Sequence, residues 1–167
     1  MVIDTLKRFV AFVALCLAQA LVLNHIHLFN VMTPLLYVYF VIAFPRNYPK
    51  WAILLWSFFL GLCIDMLSNT PGMASGALTL VGAIQPYLME LFVPRDSIEN
   101  LKCSAHTLGW AKFSLLAFLL TFILCLAFFT LEMFSFFNWQ HWLLCISTST
   151  VLTLVIILAL ENFRTES

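Results

Sequence analysis

Six long apolar runs separated by short polar connections are the feature that most constrains how this chain can fold. The runs cover residues 9–23, 26–44, 51–67, 72–93, 110–131 and 142–160. A transmembrane helix needs about 20 mostly apolar residues, so six of them would use about 120 of the 167 residues. We therefore predict one all-α, polytopic membrane domain over residues 1–167, with short loops and no separate soluble domain.

Composition excludes most soluble enzymes and nucleic-acid binders. Hydrophobic residues make up 63% of the chain and charged residues only 10%, whereas about 25% of a soluble domain is charged. Eight Lys and Arg residues balance eight Asp and Glu residues, which gives no basic surface for nucleic acid. The sequence contains no nucleophile–base pair, nucleotide loop or metal-ligand spacing, so we predict no enzyme activity, cofactor or metal.

The second apolar run leaves two structures open. Pro34 interrupts it and Pro45 ends it, so its strictly apolar part, Leu35 to Phe44, would rise only about 15 Å as a helix. Pro34 either kinks a longer helix that crosses the membrane or starts a segment that re-enters on the same side.

The basic residues favour the crossing form. Lys and Arg in short loops remain on the cytoplasmic side of a membrane. With six spans and a cytoplasmic N-terminus, all eight lie inside, and the outer connections near residues 25, 69 and 138 have none. We predict six spans with both termini in the cytoplasm. Lys7-Arg8 and Ala18-Gln19-Ala20 imitate a cleavable signal, but the apolar run continues, which favours an uncleaved first helix.

Two acidic residues fall near the outer ends of the predicted helices. A charge at the bilayer centre costs about 2.5–3.5 kcal/mol, so Asp65 in the third run needs an explanation. It follows Gly61 by one helical turn and precedes a short turn at Pro71-Gly72. We predict that its carboxylate binds the free N–H groups at the start of the fourth helix, a structural role. Glu132 lies at the outer end of the fifth predicted helix, directly after the fifth run.

Small residues and a proline mark the fourth run. Gly72 and Gly76 have the GxxxG spacing that lets helices approach closely, which predicts tight packing of the third helix on the fourth. Pro86 cannot donate a hydrogen bond to the carbonyl of Gly82, which predicts a bend. Such a bend either shapes packing or lines a transport site.

Residues Gly61 to Gly72 resemble the rod shape-determining protein MreD family. The resemblance lies in Gly-x-x-x-Asp, a short polar turn, Pro-Gly and a following helix rich in small residues. Chain length, the basic start before the first run and the Pro-bounded second run are also similar. The Phe-rich fifth run departs from the family pattern. The resemblance implies a fold similar to the substrate-binding subunits of energy-coupling factor vitamin transporters.

The resemblance also implies a function and a location. It implies a non-enzymatic component of the elongation complex in the bacterial inner membrane, where lipid surrounds it, that helps to set cell shape during peptidoglycan synthesis. Its implied partners are an MreC-like bitopic membrane protein, RodA with penicillin-binding protein 2, and, indirectly, MreB-like filaments.

Seven residues are the candidate site. We expect structural or partner contacts from Gly61, Asp65, Pro71, Gly72, Gly76, Pro86 and Glu132. Two other functions remain open: a vitamin-uptake subunit whose pocket uses Asp65, Glu132, Asn24 and Asn138, and an integral membrane enzyme, because acids within a membrane often mark chemistry.

Overall fold

The computed structural model describes residues 2–19, 35–45, 48–69, 72–92, 108–132 and 139–166. Every regular element within these ranges is helical, which confirms the all-α part of the predicted fold class for the described residues. The helices are α1 (Val2–Leu17), α2 (Val38–Ile42), α3 (Lys50–Ser68), α4 (Met73–Phe92), α5 (Trp110–Glu132) and α6 (Trp139–Glu166).

Among the described residues, three helices are long and apolar enough to cross a membrane: α3, α5 and the part of α6 from Trp139 to Phe163. The shortest, α3, has 19 residues. At about 1.5 Å per residue, a helix of this size comes close to the hydrocarbon thickness of about 30 Å. These helices support a membrane-embedded protein.

The helix bounds agree best where the apolar run is continuous. Helix α5 ends at Glu132, one position beyond the predicted 110–131. Helix α1 begins at Val2, seven residues before its predicted run, but ends at Leu17, short of the predicted residue 23. Helix α6 begins at Trp139 and continues to Glu166, so it extends past its predicted run at both ends. Backbone hydrogen bonding does not stop where hydrocarbon contact stops, and polar residues at the interface prolong a helix readily.

The second run is packed inside the helix bundle. Its described part contains only the five-residue helix α2, which lies against α4 and α5. Val38, Val41 and Ile42 are fully buried, and Tyr37 is 1% exposed. The first part of this predicted span, residues 26–34, lies outside the described residues. The apolar composition of residues 35–44 therefore serves the protein core rather than a lipid-facing surface.

Polar side chains from two other segments hold the start of this buried segment. The N–H of Leu35 donates to Oγ1 of Thr153 on α6, and the N–H of Leu36 donates to Oε1 of Gln19, which follows α1; both distances are 3.1 Å. Gln19 and Thr153 are fully buried. A buried N–H without a partner is costly, so these bonds allow irregular backbone inside the bundle.

Aromatic rings join α1 to its neighbours. The ring of Phe12 lies 5.9 Å from that of Phe40 and 5.7 Å from that of Trp56, both in edge-on arrangements. The guanidinium of Arg8 lies 4.1 Å from the centre of the Tyr48 ring, a cation–π geometry. Helix α1 is thereby fixed against both α3 and the buried residues 35–44, called the central segment below.

Helix α4 continues through Pro86 from Met73 to Phe92. The preceding Gln85 is 1% exposed, and its Nε2 donates to the carbonyl of Phe44 at 3.5 Å and lies 3.6 Å from Sδ of Met89. Pro86 is itself buried. Gln85-Pro86 thus faces the central segment, where it contributes to packing.

Candidate partner-interaction site at the α3–α4 turn

The Asp65 carboxylate binds the start of α4 from the last turns of α3. Its Oδ1 accepts the N–H of Ala74 and its Oδ2 accepts the N–H of Ser75, each at 2.9 Å. Asp65 is 6% exposed. The first N–H groups of a helix lack partners within the helix and carry partial positive charge, so they suit a buried carboxylate. The predicted contact is present.

Two residues with positive φ shape the ends of the turn. Asn69 has φ 56° and ψ 36°, and its N–H donates to the carbonyl of Asp65, which ends α3. Gly72 has φ 82° just before α4. Asn and Gly are the residues that adopt this left-handed conformation most readily. The predicted site residue Pro71 lies outside the described residues.

Gly61 brings the two helix backbones into direct contact. A Cβ atom at Gly61 would lie 2.7 Å from the Ser75 nitrogen and 2.8 Å from the Ala74 oxygen, closer than real Cβ atoms come to other atoms. Only glycine fits here. Because the same stretch of α4 receives the Asp65 carboxylate, Gly61 and Asp65 act on one contact between α3 and α4.

A second glycine, Gly82, supports the hairpin from α4. A Cβ there would lie 2.5 Å from Oγ of Ser57 and 3.0 Å from its Cβ. Ser57 is fully buried. Gly61 and Gly82 therefore permit close packing at two levels along antiparallel helices. The spacing of seven residues between Ser75 and Gly82 is a sequence signal for this face, since it corresponds to about two turns.

The prediction that Gly72 and Gly76 form the tight contact is wrong. A Cβ at Gly72 would meet nothing within 4 Å, and one at Gly76 would meet only Cδ1 of Leu131 at an ordinary 3.5 Å. Gly76 is exposed, because two residues further along a helix than Ala74 is about 200° around its axis. Gly72 serves the turn, and Gly61 and Gly82 make the close approach.

A groove of about 370 Å³ lies beside this turn. It is lined by Leu62, Asp65, Met66, Asn69, Gly72 and Ser75. Asp65, Met66 and Asn69 follow Leu62 by three, four and seven positions. These spacings place the four residues on one face of α3 and its C-cap. Met66 is 77% exposed, so the groove opens outward from the bundle, with the buried Asp65 at its inner side.

The remaining predicted site residues divide into two groups. Glu132 is exposed at the end of α5. Its neighbour Leu131 lies beside Gly76, so the end of α5 is next to the first turns of α4, at the same end as Asp65. Pro86 lies fourteen positions along α4 from Gly72, a rise of about 20 Å. It is therefore remote from the turn.

Sequence reasoning missed a buried carboxylate, Glu161 on α6. It is 1% exposed, and its Oε2 accepts the hydroxyl of Tyr39 at 2.8 Å. The apolar run was expected to end at Leu160, which made Glu161 look like the first residue outside the membrane segment. Thr153, Ile157 and Glu161 follow one another at intervals of four residues and are all buried, so the continuation of α6 past Leu160 places Glu161 on the inward face.

We expect Tyr39→Phe to lower the free energy of unfolding by about 1.5–3 kcal/mol, because a buried carboxylate loses a hydrogen-bond donor. Thermal unfolding in detergent measures this loss. Tyr87→Phe is a matched control, since Tyr87 is 62% exposed and its ring contact with Lys50 does not need the hydroxyl. Equal unfolding temperatures for the two variants would contradict the role of the Tyr39–Glu161 bond.

No group of three or more His, Cys, Asp or Glu side chains that could hold a metal ion occurs among the described residues. Comparison of the chain with protein-family models, curated proteins and solved structures finds no match. The geometry of the α3–α4 turn and the resemblance of its sequence are therefore the basis for a functional proposal.

Proposed function

We propose that this protein is a non-enzymatic inner-membrane component of the bacterial cell-elongation complex, of the MreD type. It would help to regulate cell shape and peptidoglycan synthesis by binding other membrane proteins. One observation carries the proposal: the stretch from Gly61 to Gly72 that resembles the family builds a tightly fixed hairpin with an open groove beside it. A fixed surface of this kind suits binding rather than chemistry.

The protein would act on its partners through differences in binding free energy. A partner that is active in one orientation and inactive in another shifts toward the orientation that binds this surface more tightly. The free energy of this shift equals the difference between the binding free energies of the two partner orientations. A rigid hairpin therefore discriminates between the two orientations better than a flexible one. The proposed partners are an MreC-like bitopic protein and RodA with penicillin-binding protein 2, and MreB-like filaments are reached indirectly.

The proposal includes six spans, with both termini in the cytoplasm. It is supported by the eight basic residues, which this arrangement places on one side. An alkaline phosphatase fused after Lys50 should be inactive, whereas the same enzyme fused after Asn69 should be active, because it folds only outside the cytoplasm. High activity of the fusion after Lys50 would contradict the second crossing.

Depletion in a rod-shaped bacterium that encodes the protein tests the function. We expect the cells to widen and become round, and expression of the intact chain to restore rods. The bitopic partner should co-purify with the intact chain from detergent extracts. Cells that stay rod-shaped after depletion, in the absence of a co-purifying bitopic partner, would reject the proposal.

One observation favours the second candidate, a substrate-binding subunit of a vitamin-uptake transporter. The groove of about 370 Å³ falls within the range of about 300–1,000 Å³ that is usual for small-molecule sites. Of the four residues expected for such a pocket, Asp65 lines this groove and Glu132 does not, and Asn24 and Asn138 lie outside the described residues. Under this alternative, depletion would reduce uptake of a labelled vitamin and leave cell width unchanged. The elongation role predicts the opposite pair of results.

A further inference from the structure

Two cysteines meet where α1 packs against α3. The Phe12 ring on α1 lies 5.7 Å from the Trp56 ring on α3. On α1, Cys16 follows Phe12 by four positions, and on α3, Cys63 follows Trp56 by seven. Both spacings return to the same face of a helix, so the two cysteines lie on the faces that are in contact. The Cys16 thiol donates a weak hydrogen bond to the sulfur of Cys63.

The two helices run side by side in the same direction, which keeps this pairing in register. At the beginning of the contact, the Arg8 guanidinium lies 4.1 Å from the centre of the ring of Tyr48, which precedes α3. The contacts of residue 8 with 48, 12 with 56 and 16 with 63 therefore follow in the same order along both segments. The packing of whole helices, rather than a loop, brings the two thiols together.

The other cysteines that the structure describes have different neighbours. All four described cysteines are free thiols. Sγ of Cys145 on α6 lies 3.6 Å from Nε2 of His141, and the Cys125 thiol on α5 lies beside the Thr150 side chain. Cys103 lies outside the described residues. Within the described part of the chain, the contact of α1 with α3 is thus the place where two thiols meet.

Cys63 is the thiol of this pair that a reagent reaches first, because it is half-buried whereas Cys16 is 6% exposed. Cys63 lies thirteen residues after Lys50, a rise of about 20 Å along α3. Its neighbours in the chain, Leu62 and Ile64, are apolar. A reagent that reaches this sulfur within a membrane must therefore dissolve in lipid.

We propose that Cys16 and Cys63 are a modification site, at which a lipid-soluble two-electron oxidant forms a disulfide that joins α1 to α3. The oxidant first bonds to the Cys63 sulfur, which loses its proton. The Cys16 sulfur then attacks the Cys63 sulfur, loses its own proton and displaces the reduced oxidant. One S–S bond replaces two S–H bonds, and the oxidant takes two electrons. This disulfide is independent of the proposed function.

Oxidation by iodine, which dissolves in lipid, tests the site. Membrane vesicles that contain the intact chain receive limiting iodine, and each molecule yields two iodide ions as one disulfide forms. The chain has five cysteines, so the number of thiols that can be alkylated after denaturation should fall from five to three. Mass spectrometry of a proteolytic digest should then find the peptides of Cys16 and Cys63 joined, and dithiothreitol should separate them. The oxidised chain should run as a monomer on a non-reducing gel.

Serine variants provide the controls. Cys16→Ser and Cys63→Ser should each abolish the cross-link. Cys145→Ser is the matched control, since it removes a thiol that is 4% exposed on another helix, and it should retain the cross-link. The joined peptides are identified in the intact chain, so the assignment does not depend on whether a variant folds.

Three results would overturn the proposal. The first is five remaining thiols at an iodine dose that oxidises glutathione enclosed in the same vesicles. The second is a disulfide that joins Cys16 or Cys63 to a different cysteine of the chain. The third is a disulfide that forms only between two copies and runs as a dimer.

Discussion

Gly61→Ala is expected to force α3 away from α4 and to destabilise the protein more than any other single added methyl group in the hairpin. The new Cβ would lie 2.7 Å from the Ser75 nitrogen, and backbone cannot move aside as a flexible side chain can. Overpacking typically costs about 1–3 kcal/mol, and contact with backbone favours the upper part of that range. In a chain of this size each kcal/mol lowers the unfolding temperature by about 2–4 °C.

Gly76→Ala is the matched control for this change. It adds the same methyl group to the same hairpin, but its Cβ would meet only the end of the Leu131 side chain at an ordinary 3.5 Å. Alanine is favoured over glycine inside a helix by about 1 kcal/mol, so this variant should be unchanged or slightly more stable. Thermal unfolding in the same detergent compares the two. Equal destabilisation by both would mean that the close approach at Gly61 is not specific.

Gly61 and Gly76 also illustrate which features of the hairpin the sequence could predict and which it could not. The spacing of Gly61 and Asp65 ahead of a short turn predicted a tight hairpin and a carboxylate at the start of α4, because a short connection leaves few geometries. Helix rotation was not predictable in the same way. The fourth run is rich in small residues on several sides, so composition did not reveal that Gly82 rather than Gly76 faces α3.

The central segment illustrates a second limit. Residues 35–44 are as apolar as the helices around them, and in a membrane protein apolar composition suits both lipid contact and the core. Hydrophobicity therefore could not indicate that Val38 and Val41 are enclosed by other helices. The hydroxyl of Thr153 on α6 accepts the N–H of Leu35 and donates to the carbonyl of Ser149 in its own helix. The bond between Thr153 and Leu35, which are 118 positions apart in the sequence, could be identified only from the fold.

Substitutions of Asp65 separate the contribution of hydrogen bonding from that of charge. Asp, Asn and Ala at this position should give three different free energies of unfolding. Asparagine keeps one acceptor oxygen, but its amide group presents hydrogen atoms to the second N–H. Alanine leaves the N–H groups of both Ala74 and Ser75 without the carboxylate. We expect losses of about 1–2 kcal/mol for Asp65→Asn and about 2–4 kcal/mol for Asp65→Ala, because buried unpaired donors are costly.

Denaturation in detergent measures this order, and the amount of protein in the membrane provides a second readout. Asp65→Asn should still accumulate in the membrane, since the hairpin keeps one of its two bonds and the close packing at Gly61. Glu90→Gln is a suitable control: Glu90 is 3.7 Å from Lys50 in an exposed pair, which is worth at most about 1 kcal/mol. Complete loss of Asp65→Asn from the membrane would show that the negative charge itself is required. An Asp65→Ala protein as stable as the parent would mean that the carboxylate is not what holds α4 to α3, and the fixed surface on which partner binding depends would need another origin.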